Sequence, residues 1–467
     1  MLNHNRLTIK QVLGIVLGLF VALCLGITVY QHTHFNRNVK INSIPVGGLT
    51  IDKALSKVKS HRRAIRVYVN GDLVYQKSGQ ASGFSSRDKG RIAEAQRKQR
   101  TLLPSNKSRN LVVAPAGLDR APQSAINDAV NRQISQWNQS RQPSQDAYAK
   151  YSQGSVRLNP AVKGNQFSQK GLAQQVERQL PNGTIRLHPT YIKPLTSNNP
   201  TVQNEKRQLN KMARRTVTYQ VQGHQYRLHI NDVIDSATYR NGHYHFDTSP
   251  TKATVAKINR RQATLDKSFT FKTPDGHTIQ TASGGNYGWK ISAKQAGPTL
   301  AKAFADNRPT VNASHDLVGK GFNRHGTGYH TTSNHGLGST YAVVSIKQQH
   351  TWLYEKGKCV LSEDIVSGSN TKSDRTPKGV WYIMYQQSPS VLRGKNNDGS
   401  NYSSKVQYWS PFTMSGCGFH DASWRTDWSK DEYKQANGGS HGCINMRPSV
   451  AGKAYHHLHI NEPVIIY

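Results

Sequence analysis

The stretch from Val12 to Tyr30 contains no charged residue, and Arg6 and Lys10 stand just before it. Its length suits a hydrocarbon core of roughly 30 Å, so it predicts a single transmembrane helix over 12–30 with residues 1–11 as a short head. A cleaved signal peptide is the main rival. The following Tyr30-Gln31-His32-Thr33-His34 is bulky and polar, however, and lacks the small-residue pattern of a cleavage site. Cys24, after Leu23 within the apolar run, is poorly placed for lipidation. Arg37 and Lys40 balance Arg6 and Lys10 across the span, so the charge rule orients it weakly. The small head and large C-terminal body favour a head in the cytoplasm and a body outside the cell membrane.

Such a placement changes the meaning of the charge. The 467 residues carry 62 Lys+Arg against 26 Asp+Glu, a net +36. Residues 340–467 hold 14 basic and 10 acidic residues, net +4, which leaves 48 against 16, net +32, for residues 1–339. A basic exterior concentrates polyanions. Inside a cell that would suggest nucleic acid, but no zinc-finger, helix-turn-helix or RNP signature is present and no nucleic-acid partner is expected. Outside a membrane the polyanions are wall polymers and anionic lipid headgroups; a solvated basic surface without a specific ligand is the plainer alternative. With 4 Cys in the chain, neither a disulfide scaffold nor a multi-cysteine zinc protein is plausible.

The length suggests two to four domains, and the predicted fold class is multidomain α+β. Three places share a hydroxyl followed by apolar positions four and eight later: Thr50 with Ala54 and Val58, Ser168 with Leu172 and Val176, and Ser292 with Ala296 and Leu300. Each reads as an N-cap before an amphipathic helix, and together they read as diverged α+β repeat units. Alternation predicts strands at Val217–Val221 and Tyr226–Ile230. The expected boundaries are 41–200 and 213–311 for two such regions, and 312–339, dense in Gly, Asn, Ser, Thr and His, for a linker. Residues 86–110, rich in Arg and Lys, read as a solvated helix or mobile insertion. His315, His325, His330 and His335 lack metal-ligand spacing, as do His456, His457 and His459, and no metal or other cofactor is expected. From Thr340 the texture changes to short strands, at Tyr341–Ile346, Trp352–Tyr354, Val360–Val366 and Val380–Tyr385, then a helix from Pro448 and a last strand at Val464–Tyr467. This predicts a compact, mostly-β, sandwich-like domain over 340–467.

Within it, Ser440-His441-Gly442-Cys443-Ile444-Asn445 follows Gly438-Gly439, with His420-Asp421 upstream. A cysteine nucleophile needs a base or cation nearby, because the thiolate is the reactive form. His441 is close in sequence and His420 is reachable by folding; a residue on its own strand end is the better base, with Asp421 placed to orient an imidazole. Gly442 allows close approach of a substrate, and the N–H groups of Gly442 and Cys443 are candidate oxyanion donors.

Together with Gly418-Phe419-His420-Asp421-Ala422-Ser423-Trp424-Arg425, Thr376-Pro377-Lys378-Gly379 and Pro463-Val464-Ile465-Ile466, this motif resembles the L,D-transpeptidase (YkuD) family over nearly all of 340–467. Gly284–Trp289 and Pro45–Thr50 are similar to the peptidoglycan-binding-like region of Gram-positive members, over roughly 41–312; glycines beside Tyr and Trp also mark a tight turn at a core aromatic.

The resemblance implies Cys443 as nucleophile and His420 as proton acceptor and donor. Ser440, His441 and Gly442 would shape the loop, and Asn445 would fix it or bond the substrate. Tyr402 is either a lid over the cleft or a packed strand aromatic. The implied reaction is two-step acyl transfer between peptidoglycan stem peptides, donor and acceptor, without a cofactor and with carbapenem sensitivity at Cys443. An L,D-carboxypeptidase, with water as acceptor, shares the acyl-enzyme; a non-catalytic wall-binding protein is the reading from another class. Sortases lack a matching signature here, and papain-like hydrolases place cysteine before histidine. Cys417 reads as a buried strand residue, with oxidative pairing to Cys443 as the alternative.

Overall fold

The computed structural model describes residues 8–396, 398–435 and 437–467; Arg6, with the rest of the head before Thr8, lies outside the described residues. Helix Ile9–Thr33 contains the whole of 12–30, and its apolar side chains are exposed, with Gln31 alone buried. Among the described residues it is the one helix long and apolar enough to cross a membrane, and an anchor or a signal sequence both fit it.

The chain divides into two compact units, one reaching Ala147 and including Pro160–Thr196, the other comprising Tyr148–Asn159 and Ser197–Tyr467. In the first, strands Arg62–Val69, Asp72–Ala81 and Thr184–Leu187 form a sheet covered by helices Pro122–Gln139 and Leu172–Gln179, with Val67, Ile126, Ile134 and Val176 among the buried side chains. A smaller core gathers Phe35, Ile41, Ala54, Val58 and Ile92 between helices Ile51–Ser60 and Lys89–Gln99. Thr50 stands at the N-cap of Ile51–Ser60 and the stripe behind it is buried. Ser168 does not cap its helix: Gly171, at φ 82°, delays the start to Leu172, and the Ser168 hydroxyl accepts from Lys170 N at 3.1 Å instead. Helix Lys89–Gln99 is solvated on one side only. Ile92, Ala95, Gln96 and Gln99 share a face at helical spacing and are buried, with Gln96 donating to Gln31 O at 2.7 Å and Gln99 accepting from Asn36 N at 3.0 Å.

The second unit opens with strands Tyr148–Ser152 and Ser155–Asn159, which pair into a four-stranded sheet with Ser236–Arg240 and His243–Asp247. The two expected strands are present as Thr216–Val221 and His224–His229; they pair as a hairpin, and Thr310–Asn312 joins it in parallel. Helices Pro200–Ala213, Thr251–Gln262 and Ala293–Asp306 complete this part, with Ser292 at the last one's N-cap and Ala296 and Leu300 buried. Residues after 312 are built into the core. Asp316 accepts from the Tyr219 hydroxyl at 2.6 Å and the Thr299 hydroxyl at 2.8 Å, and Tyr329 packs edge-on against Trp289 at 4.8 Å.

From Tyr341 a five-stranded sheet runs in the order Lys358–Asp364, His350–Glu355, Tyr341–Ser345, Pro463–Ile466, Gly379–Tyr382. Lys356 (φ 47°) and Gly357 (φ 84°) make the hairpin turn between its first two members. A second sheet holds Trp409–Pro411, Gly418–Asp421 and Ile444–Met446, and both sheets share one core with Leu353, Phe419, Ile444, Val464 and helix Pro448–His457. The edge strand Gly379–Tyr382 is covered by residues 284–287: Val380 N donates to Gly284 O at 3.1 Å and Tyr287 N to Val380 O at 3.2 Å. A Cβ on Gly285 would lie 1.9 Å from Val380 O, so the approach requires glycine there. Asn286 donates to Phe412 O at 3.0 Å and accepts from Tyr382 N at 3.1 Å. Tyr287 and Trp289 are buried packing residues.

Candidate active site

Strand Gly418–Asp421 carries His420 and lies parallel to Ile444–Met446, a register that sets His420 opposite Asn445. Cys443 immediately precedes the second strand, at the end of a loop braced from several sides. Ser440 N donates to Ser367 O at 3.0 Å, the Ser440 hydroxyl donates to Cys443 O at 2.7 Å, and the Thr376 hydroxyl donates to Gly442 O at 3.0 Å. Gly442 has φ 107°, and a Cβ there would stand 2.7 Å from Cys417 Sγ, so glycine is required on both counts. Its N–H donates to the Ser440 hydroxyl at 3.1 Å. Of the two expected oxyanion donors, Cys443 N–H is therefore the one without an acceptor among the described residues.

Cys443 is partly buried on a cleft of about 170 Å³ that His420, His441, Tyr402, Arg425 and Asn445 also line. Its Sγ donates to Gly416 O at 3.5 Å. Burial pushes this thiol up to about 12, with the nearby Cys417 adding and the Gly418 amide opposing, so Cys443 rests as a neutral thiol. Cys417, buried beneath, is raised by the same desolvation.

His420 is buried, with the rings of Trp409 and Trp424 centred 5.9 and 5.8 Å from its own. Its Nδ1 donates to the backbone O of Asp421 at 2.8 Å, which leaves a lone pair on Nε2. Burial lowers the pKa of the imidazole below its ordinary value, Asp421 opposing and Arg425 assisting, so the ring is neutral at physiological pH. The Asp421 carboxylate does not touch the ring. It accepts from Gln407 N and Tyr408 N, each at 2.8 Å, and so ties down the crossing segment while the backbone carbonyl orients the imidazole.

The Asn445 amide is satisfied at both ends when Nδ2 donates to His420 Nε2 at 3.1 Å and Oδ1 accepts from Arg425 Nε at 3.2 Å and Nη2 at 3.1 Å. Arg425 also donates to Gly438 O at 2.6 Å. Sequence reasoning missed Arg425 and Trp424 as site residues, although both lie in the segment after His420; only the folded loop brings them to the cleft. Tyr402, on the hairpin Ser390–Lys395 and Asn401–Val406, stacks on exposed His441 with centroids 5.3 Å apart and planes 7° apart. Burial raises the pKa of its phenol, and the nearby Cys443 and Cys417 add to that. Of the eight expected site residues, Tyr402, His420, Ser440, His441, Cys443 and Asn445 line this cleft, whereas Asp421 and Gly442 do not and contribute through the backbone frame.

Among the described residues no group of three His, Cys, Asp or Glu side chains could hold a metal ion. His457 and His459 bond Glu355 at 2.8 and 3.3 Å, and His330 packs against Tyr329.

Residues 339–466 match the family model of the L,D-transpeptidase catalytic domain, YkuD. This part of the chain is an L,D-transpeptidase catalytic domain. Among solved structures, a serine-for-cysteine variant of the Enterococcus faecium L,D-transpeptidase is 27% identical, covers 56% of this chain and 98% of that one, and has a TM-score of 0.43. The NMR structure of the E. faecium L,D-transpeptidase catalytic domain is 39% identical over 27% of this chain and 96% of that one, with a TM-score of 0.25. L,D-transpeptidase 3 from Mycobacterium tuberculosis, in complex with a faropenem-derived adduct, is 22% identical over 27% and 60% of the respective chains, with a TM-score of 0.24. No curated protein matches this chain. The cleft at Cys443 lies within the residues matched to the L,D-transpeptidase catalytic domain.

Proposed function

We propose that this chain is a peptidoglycan L,D-transpeptidase acting through a thioester on Cys443. The observation that carries the reading is the partly exposed Cys443 on one cleft with a neutral, tautomer-fixed His420, inside a domain of that family. Both groups rest uncharged, so proton transfer accompanies attack. As Cys443 Sγ adds to the carbonyl of the third residue of a tetrapeptide stem, the thiol proton passes to His420 Nε2, which Asn445 releases. Cys443 N–H receives the developing oxyanion. The bond to the terminal D-Ala breaks, the imidazolium returns its proton to the leaving amine, and a thioester remains. An amine of a neighbouring stem then attacks the thioester, loses a proton to His420, and Cys443 leaves as the thiol. Stacked Tyr402 and His441 form a lid over this cleft. Helix Ile9–Thr33 anchors the enzyme in the cell membrane with its body facing the wall.

The test is mass spectrometry of products from a disaccharide-tetrapeptide incubated with the full chain in detergent micelles, alongside Cys443→Ala. A dimer lacking one D-Ala, absent with the variant, is expected. Tripeptide monomer alone would mean that water is the acceptor, and identical mixtures from both proteins would refute catalysis by Cys443.

A further inference from the structure

Away from Cys443, the second unit contains an open cleft of about 470 Å³ between the end of helix Thr251–Gln262, the strand Thr270–Lys272 and the segment around Thr331–Gly336. Arg260, Arg261 and Lys267 line it, with His224 and His335, and no carboxylate does. None of the three permanent cations forms an ion pair among the described residues. Asp266, next to Lys267 in sequence, is engaged by Lys290 and Lys320 instead. The helix C-terminus contributes roughly half a negative charge, well short of three cations, and Lys267 Nζ already donates to the terminal carbonyl of Arg260 at 3.5 Å. The cleft is thus a concave cationic surface without internal neutralisation, and its walls focus the field on whatever enters.

The lining also narrows the chemistry of the occupant. Two guanidinium forks suit tetrahedral phosphate oxygens, and Thr331 and Thr332 add hydroxyls at the rim. Single-stranded nucleic acid would need broad aromatic faces on which bases stack, and the one Phe, Tyr or Trp side chain in the lining, Phe269, is buried. The volume admits more than a single small anion. We infer that this cleft binds a phosphodiester polymer of the polyol-phosphate type, holding the catalytic body on an anionic wall chain through Arg260, Arg261 and Lys267. The choice of a wall polymer rests on the outward-facing body proposed above; the anion chemistry does not, and binding is measured independently of turnover.

Fluorescence anisotropy of a labelled poly(glycerol phosphate) oligomer, with the full chain in detergent micelles, tests the inference. Wild type is compared with R260Q/R261Q/K267Q and with K53Q/K57Q/K59Q, an equal charge loss on the exposed face of helix Ile51–Ser60. The cleft variant should bind at least about tenfold more weakly with a flatter salt dependence, since each lost cation–phosphate contact removes released counterions; the control should change by about twofold or less. Unchanged stem turnover and melting temperature confirm that the cleft variant is folded. Equal weakening in both variants, or none in either, overturns the inference. So does cleft-dependent binding to phosphatidylglycerol vesicles without binding to the oligomer, which would assign the cleft to lipid headgroups.

Discussion

Cys443 and His420 meet as neutral partners, and burial is the cause on both sides: it raises the thiol and lowers the imidazole. Because the folded pKa of His420 is depressed, its base form persists below the ordinary imidazole value of about 6.5, and kcat/KM should fall only as pH drops beneath that value. Trp424 supplies part of the desolvation. Trp424→Ala should therefore move the acid-side inflection of the kcat/KM profile upward, and an inflection that stays put or moves down would refute this account. The grouping of Ser440, Gly442 and Cys443 on one loop was legible in the sequence because a motif of adjacent residues carries it. The part played by Asp421 was not, since nothing local says that its carboxylate would be drawn to Gln407 N and Tyr408 N while its carbonyl holds the imidazole.

At the scale of elements, residues 284–287 act as a strand-like cover for Gly379–Tyr382. Asn286→Ala should cost about 1–3 kcal/mol in thermal or denaturant unfolding, because Phe412 O and Tyr382 N lose their buried partner. Glu462, in the turn before the last strand, is buried, and desolvation raises it to about 8, with Glu355 adding to the shift. The folded state then holds a proton that the unfolded chain releases near 4.5, so this residue's contribution falls as pH rises from about 4.5 to 8. Glu462→Gln should stabilise the protein by about 1–3 kcal/mol at pH 8 and leave it unchanged at pH 4, read as melting temperature across that range. The strands of the five-stranded sheet and the turn at 355–358 were legible from strand texture and turn chemistry, whereas the hairpin Ser390–Lys395 with Asn401–Val406 was not. The cap at Ser168 was not, because a single left-handed glycine decides where that helix begins.

For the molecule as a whole, the segment between the helical region and the first strand of the catalytic sheet is built into both. Lys320 O accepts from the Tyr382 hydroxyl at 2.9 Å, and Tyr287 and Leu337 share a core with Val343 and Val380. A chain reduced to 340–467 should melt below one that begins at 148 and should self-associate more, since the edge strand Gly379–Tyr382 loses its cover. Equal melting temperatures with both chains monomeric would show that the cover is dispensable.

What the sequence determined by itself was whatever depends on neighbours along the chain: the apolar span at 12–30, the strand texture after 340, and the glycine-rich loop from Ser440 to Asn445. Only the tertiary structure decided which distant groups meet. Parallel pairing sets His420 beside Asn445, the loop after it returns Arg425 to hold that amide, and close backbone approach turns residues 284–287 into packing for a sheet edge. The division is physical: helical and strand periodicity are written in near neighbours, whereas register, desolvation and partner choice are settled by contacts that exist only once the chain has closed on itself.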